Sequence, residues 1–313
     1  MKSKVKNIAI TIGDPCGIGP EVTAKALARF LSKRNIRFTI IGDEFIFRRY
    51  QKKSASNITF VDCKSLLPNQ WRSGKGSSKS AQASLLYLNT ALKLIKTKEA
   101  CALVTAPVSK EAICALGVHF QGHTEYIANY FKIKKFGMMF VADKLKTVVA
   151  TRHIPLSSVS KKITPSLLAE IITLTAQSLE NYFNIRNPKI AICGINPHAG
   201  EKGKMGTEEI KTIIPAITKI KKNGVRIHGP FSADTLFYPL ITKKYDVIIA
   251  MYHDQGLIAI KSLYFKNLVN LTIGLPFVRT SPAHGTAFDI AGKNKADPSS
   301  MRAAIELALQ LSQ

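Results

Sequence analysis

The stretch GDPCGIGPE at residues 13–21 joins a short apolar run, residues 8–12, to a segment of helical period that begins at Glu21. A glycine-rich turn between strand and helix invites a dinucleotide-binding reading. Gly17 and Gly19 match the first two glycines of G-x-G-x-x-G, but Val22 stands where the third belongs. That third glycine lets the helix pack closely on its strand, so its absence removes the Rossmann fingerprint. No G-K-[ST] follows, which removes a P-loop as well. The turn therefore opens an α/β fold of another kind.

Apolar, often β-branched runs bounded by Gly, Asp or Pro recur beyond it, at residues 38–41, 102–105, 138–141, 147–151, 190–193 and 247–251. With 8–12 they predict buried strands. Segments of helical period lie between them, at 21–31, 81–95, 165–183, 208–222 and 301–311. Such alternation predicts α/β layering around a largely parallel sheet. Pro20 before Glu21 and Thr164 before Pro165 read as helix starts, and Thr207 with Glu208 and Glu209 places acids in a first turn. The Ser-, Gly- and Lys-rich stretch 65–80 reads as an exposed loop. Residues 138–151 read as a hairpin that turns at Asp143 and Lys144 and crosses between domains.

With 313 residues the chain has room for one large or two modest domains. Its 46% hydrophobic and 21% charged residues exclude a mainly disordered or fibrous chain. The longest apolar runs fall far short of the roughly 20 residues that span a bilayer, so no membrane span is expected. Lys2, Lys4 and Lys6 precede only the short run 8–12, which reads as a first strand and not as a secretion signal. Cys16, Cys63, Cys101, Cys114 and Cys193 form no C-x-x-C pair. That argues against a disulfide framework or thiolate zinc site and for a reducing cytoplasm. Forty-five Lys+Arg against 20 Asp+Glu give a formal charge of +25, which suits nucleic acid, an anionic surface or anionic small substrates. The lysines are scattered, with short runs only at 132–135 and 219–222, and no stacking aromatics alternate with them. Nucleic-acid binding is therefore not the expected function.

Three histidines stand just beyond expected strands: His153, His198 and His253. Parallel strands end on one edge and ligands bind in the loops of that edge, so three imidazoles can converge there from far apart in sequence. Neutral imidazole suits zinc or another divalent transition metal, and three protein ligands leave a position open for substrate. Spacing by itself also describes three unrelated loop histidines, which is the commoner arrangement. Asp254 and Glu201 adjoin two of them, as outer-shell partners or as solvated loop acids. Gly122, His123, Thr124 and Glu125 precede a helical segment, where amides, a hydroxyl and an imidazole make an anion site, or where Thr124 is a plain N-cap. Lys110, Lys261 and Arg279, with Asn270 between the last two, suit phosphate or carboxylate, although each alone is more often a surface charge in so basic a chain. The Gly-rich run HGTAFDIAGKNKAD at 284–297 either cradles a cofactor or caps the fold.

GDPCGIGPEV, GHTEY, TRHIPL, NPHAG, MGTEEI, GPFSADTLF, AMYHDQG and IGLPFVRTS occur in this order between Gly13 and Ser281. Together they closely resemble the 4-hydroxythreonine-4-phosphate dehydrogenase family of the pyridoxal phosphate pathway, over nearly the whole chain. GIGPEV and HGTAFDIAGK are also similar to the isocitrate/isopropylmalate dehydrogenase superfamily, which binds NAD through irregular loops. The resemblance implies two three-layer α/β/α domains with a cleft between them. One, residues 1–132 with 276–313, lies on the cofactor side; the other, residues 133–275, on the metal and dimer side.

The same resemblance makes His153, His198 and His253 ligands of one divalent metal (Zn, Mg, Co or Mn). It implies that His123, Thr124, Lys261, Asn270 and Arg279 hold an anionic phosphorylated substrate, with Lys261 and Asp234 in the chemistry. Ile18, His284, Gly285, Thr286, Ala287 and Asp289 are the implied NAD (or NADP) residues, Asp289 meeting the adenosine ribose. The implied reaction is NAD-dependent oxidation and decarboxylation of 4-phosphooxy-L-threonine by a homodimer with shared active sites. D-Threonate or D-erythronate 4-phosphate is the alternative substrate. Three positions depart from the family pattern: Lys202 and Ala81 stand where Gly is usual, and Asp297 where the superfamily often has Asn.

Overall fold

A computed structural model describes residues 5–33, 35–51, 55–221 and 224–312. Lys2, Lys4 and Lys222, among the lysines singled out above, lie outside these described residues. The strands are β1 (Lys6–Thr11), β2 (Ile36–Gly42), β3 (Ile58–Asp62), β4 (Ala102–Thr105), β5 (Gly137–Ala142), β6 (Leu145–Val149), β7 (Ile190–Cys193), β8 (Ile227–Phe231), β9 (Val247–Ala250), β10 (Val269–Ile273) and β11 (Val278–Pro282). The chain divides into two compact units, Met1–Ile133 with Leu275–Gln313, and Lys134–Gly274.

In the first unit the strand order is β3-β2-β1-β4-β11, and every adjacent pair is parallel. Ile8, Ala9 and Ile10 of β1 are all fully buried. Successive residues face opposite sides of a sheet, so both faces of this strand are covered. The helix Ser78–Lys96 packs on β1, β2 and β4, and the helix Ser299–Leu311 packs on β4, β11 and the helix Gly19–Leu27. Close backbone approaches account for the glycines of the first turn. Gly13 has φ +73, and a Cβ there would stand 2.3 Å from the Pro107 carbonyl; at Gly17 it would stand 2.9 Å from the Thr286 carbonyl. These glycines serve chain packing. Between them Asp14 accepts from Cys16 N at 2.9 Å, and burial pushes its carboxyl up to about 6.

In the second unit the order is β10-β5-β6-β9-β7-β8. β5 is antiparallel to β10 and β6, and the remaining pairs are parallel. The hairpin turns at Asp143, φ 48, as the sequence led us to expect. The helix Pro165–Phe183 coincides with its expected span, and the Thr164 hydroxyl accepts from Leu167 N at 3.2 Å.

Several boundaries differ from expectation for local reasons. The first helix stops at Leu27. The stretch 65–80 contains the turn Pro68–Gln70 and the start of the helix Ser78–Lys96, because Ser77 and Ser80 cap one another reciprocally. Ala81 therefore lies buried in the helix and not before it. The segment 208–222 begins as a π-helical turn, Glu209–Ile213, and becomes α-helical only at Ile214–Lys221. Among the described residues no helix is long and apolar enough to cross a membrane, and the five cysteines are free.

Candidate active site

In the second unit β6, β9 and β7 are adjacent and parallel, so the loops at their carboxyl ends share one edge. His153 lies in the loop after β6, His253 opens the helix His253–Tyr264 after β9, and His198 lies in the loop after β7. The His153 and His253 rings are 5.4 Å apart, close enough for both to reach one metal at bonds of about 2.1 Å. His253 Nδ1 pairs with Asp254 Oδ1 at 2.7 Å, which orients the ring and leaves Nε2 as the nitrogen available to a ligand. His198 is exposed on a neighbouring loop. Among the described residues no three metal-ligating side chains are assembled within one chain. The donor chemistry nevertheless fits a divalent transition metal: a close imidazole pair, with a third imidazole on the same edge.

The His198 loop has an unusual backbone. His198, Ala199, Gly200, Glu201 and Lys202 all have positive φ, between 40° and 78°. For residues other than glycine this conformation costs about 1–2 kcal/mol each, so the loop needs an external anchor. Glu209, only 1% exposed, supplies it: one carboxylate oxygen accepts from Ile195 N and Asn196 N at 2.8 Å each, and the other from Asn196 Nδ2 at 2.9 Å. The sequence placed this acid in a first turn; in the structure it turns inward, away from an ordinary helix start.

Asp234 is exposed, and the Ser232 hydroxyl that donates to it is the main cause holding its carboxyl below the usual range. Lys261 is half-buried two turns along the helix from His253. Asn270 lies on β10, and its Oδ1 is shielded from solvent with no hydrogen-bond partner among the described residues.

The first unit brings Arg279, Thr105, Thr124 and His123 together. Arg279 on β11 is 2% exposed; its guanidinium donates to Thr105 Oγ1 at 2.6 Å and to Thr124 Oγ1 at 3.3 Å. Burial pulls its pKa down to about 10, with Glu125 opposing, so it stays cationic at neutral pH. His123 opens the helix His123–Tyr130, which Gly122 caps in place of Thr124. Burial, then Arg279 and Lys110, hold His123 well below the usual imidazole range. It is therefore neutral, and its solvent-shielded Nε2 has no partner among the described residues. A fixed cation beside a neutral ring with an open nitrogen suits a phosphate or carboxylate. Thr105, a polar residue at the end of an apolar strand, carries no local signal that marks it for this cluster.

The cofactor candidates of this unit also meet in part. Ile18 N donates to the Thr286 carbonyl at 2.9 Å, which ties the first turn to the loop carrying His284, Gly285, Ala287 and Asp289. His284 Nδ1 lies 3.1 Å from the Gly285 carbonyl, Ala287 has φ 41 and Asp289 is exposed. Asp297 accepts from Ser299 N, the first residue of the last helix, at 2.9 Å, a bond that an Asn side-chain oxygen accepts equally well.

The chain matches the family described as pyridoxal phosphate biosynthetic protein PdxA over residues 13–308. It is 41% identical over 317 residues to a 4-hydroxythreonine-4-phosphate dehydrogenase of Sulfurihydrogenibium sp., covering 97% of this chain and 98% of that protein. A crystal structure of the enzyme of the same name from Klebsiella pneumoniae superposes with a TM-score of 0.85 at 35% identity, covering 98% of this chain and all of that one. Isocitrate dehydrogenase from Methylococcus capsulatus superposes with a TM-score of 0.55 at 14% identity over 97% of this chain and 85% of that one. This last is a likeness of fold alone, and it agrees with the α/β fold class expected from the sequence.

Proposed function

Since this chain belongs to the pyridoxal phosphate biosynthetic protein PdxA family and is a dehydrogenase, we propose that it oxidises 4-phosphooxy-L-threonine with NAD and decarboxylates the product to 3-amino-2-oxopropyl phosphate. Bound NAD would take a hydride from C3, and the C3 hydroxyl proton passes to Asp234 or to Lys261 as its neutral amine. The β-keto carboxylate then loses carbon dioxide, its bonding electrons pass toward the C3 carbonyl, and a proton returns to the former C2.

The cradle around Arg279 supports this reading most. Arg279 and Thr124 hold the substrate's anionic group, and neutral His123 adds a hydrogen bond without a competing charge. Asn270 supplies a buried acceptor that is otherwise unpartnered among the described residues, and Lys261 supplies N–H donors in either protonation state. Asp234 is held ionised by Ser232, which lowers its basicity, so it serves as a relay for the proton and not as its final acceptor. A divalent metal held by His153, His198 and His253 would polarise the C3 oxygen. Ile18 and the loop with His284, Gly285, Thr286, Ala287 and Asp289 would hold NAD. The Asp289 carboxylate accepts from ribose hydroxyls and repels a 2′-phosphate, so NAD is preferred over NADP.

The working unit in this reading is a homodimer with shared sites; the sequence order sets His153 apart from His198 and His253, but the His153 and His253 rings are 5.4 Å apart, so these two come from one subunit and His198 from its partner. Inactive His153→Ala and His198→Ala chains should then recover activity when mixed, and continued inactivity despite proven subunit exchange would refute sharing. The substrate is tested by NAD reduction with 4-phosphooxy-L-threonine, D-threonate 4-phosphate and D-erythronate 4-phosphate. The first should be turned over with much the highest kcat/KM; a higher value for either of the others would overturn the assignment.

A further inference from the structure

The first unit contains a second basic cavity, of about 720 Å3, which shares no residue with the Arg279 cradle; Gly292 and Asn294, in the later part of the run 284–297, close one side of it, beyond the cofactor candidates at 284–289. Arg49, Tyr50, Trp71, Arg72 and Ser73 line it, and Asn294 forms part of its wall. Trp71 is fixed in place: its Nε1 donates to the Pro15 carbonyl at 2.8 Å, and Phe45 meets it edge-on at 6.2 Å. The Arg49 guanidinium lies 5.0 Å over the indole. Stacking occupies the face of a guanidinium and leaves its N–H groups, which lie in the plane, open to an acceptor.

The charges nearby are committed unequally. Arg48 forks onto Glu44 at 2.9 and 2.7 Å. Lys25, at the cavity margin, spends its three donors on Glu21, at 2.7 Å, and on the carbonyls of Asn294 and Ala296, at 3.0 and 3.1 Å. Arg49 and Arg72 make no ion pair among the described residues. Two uncommitted guanidiniums match a dianion such as a phosphomonoester, which accepts paired N–H donors. The volume is that of a small organic ligand and exceeds what inorganic phosphate needs, and Tyr50 and Trp71 give it aromatic walls.

We propose that this cavity binds a phosphomonoester carried on a planar ring, at a site separate from the catalytic cradle. Two sources have this chemistry, a pyridine-ring phosphate of the kind named in the family description and a nucleoside monophosphate. Only the first depends on the pathway assigned above.

Trp71 is the chain's single tryptophan, so its emission reports on the cavity directly. The full-length protein is titrated with pyridoxine 5′-phosphate and with adenosine 5′-monophosphate, with the phosphate-free pyridoxine and adenosine as controls. Calorimetry provides a second readout. At least one phosphomonoester should bind saturably, and the one that does identifies the source. Its affinity should fall at least tenfold in Arg49→Gln/Arg72→Gln, fall less in Arg49→Lys/Arg72→Lys, and be unchanged in Arg279→Gln. Three results would overturn the proposal: no saturable binding, equal binding of the phosphate-free controls, or binding lost in Arg279→Gln and kept in the double glutamine variant. Without added ligand the double variant should retain wild-type NAD reduction, so failure of the binding test leaves the catalytic assignment standing.

Discussion

Removing the Glu209 carboxylate should loosen the His198 loop and weaken metal binding with little change in the rest of the fold. Glu209→Ala deletes the acceptor of three hydrogen bonds, two of them from the backbone amides of Ile195 and Asn196. A buried donor left without a partner costs about 1–3 kcal/mol. Two such amides would set a penalty of about 2–6 kcal/mol if the loop stayed in place. The loop can relax toward water, so a loss of about 2–4 kcal/mol in unfolding free energy is expected. Glu209→Gln keeps an oxygen for the two amides but turns a donor toward the Asn196 side-chain amide, and should cost about 1–2 kcal/mol. Denaturant unfolding measures the first effect. Calorimetric titration of metal-free protein with zinc measures the second, with affinity at least tenfold weaker in the alanine variant. Unchanged stability and unchanged zinc affinity in Glu209→Ala would refute the claim that this carboxylate anchors the loop.

Three further outcomes are expected. Arg279→Ala should lower kcat/KM for the phosphorylated substrate by about 2–5 kcal/mol in free energy, since it empties the centre of a buried charged cradle; steady-state kinetics showing less than a fivefold loss would count against the cradle. Burial raises the Asp14 carboxyl from 3.8 to about 6, so the folded state holds this proton more tightly than the unfolded chain does. Its stabilising effect is complete below the unfolded value and is lost as pH rises toward 6. Asp14→Asn should therefore remove a fall of about 3 kcal/mol across that window, and an identical pH profile for wild type and variant by denaturant unfolding would exclude this. Lys202 has φ 56, a position glycine occupies without a Cβ clash, so Lys202→Gly should raise stability by about 0.5–1 kcal/mol; a lower midpoint in thermal unfolding would contradict it.

What the sequence discloses and what it hides have separable causes. The strands at 102–105 and 190–193 and the helix 165–183 were legible because continuous apolar runs and a Thr-Pro start are local signals. β11 was not, because Arg279, Thr280 and Ser281 make it polar, although all three are buried. β3 was hidden for another reason: it lies at the edge of its sheet and is only partly buried, so it carries no continuous apolar run. The glycines at 13–21 could be read as failing the Rossmann test. Their packing partners, Pro107 and Thr286, lie far away in sequence and could not be inferred. Strand ends placed His153, His198 and His253 on one edge, as the parallel β6, β9 and β7 have it. That His153 sits beside His253, and that Glu209 anchors the His198 loop, depends on contacts that no local spacing records.

The central claim is that one enzyme both oxidises and decarboxylates a phosphorylated hydroxy amino acid. The most direct test measures NADH formation and carbon dioxide release together during turnover of 4-phosphooxy-L-threonine by purified enzyme supplied with a divalent metal. The expected result is one carbon dioxide for each NADH, with both lost together in Arg279→Ala. NADH formed without carbon dioxide, or neither product from this substrate while another 4-phosphate is oxidised, would contradict the account.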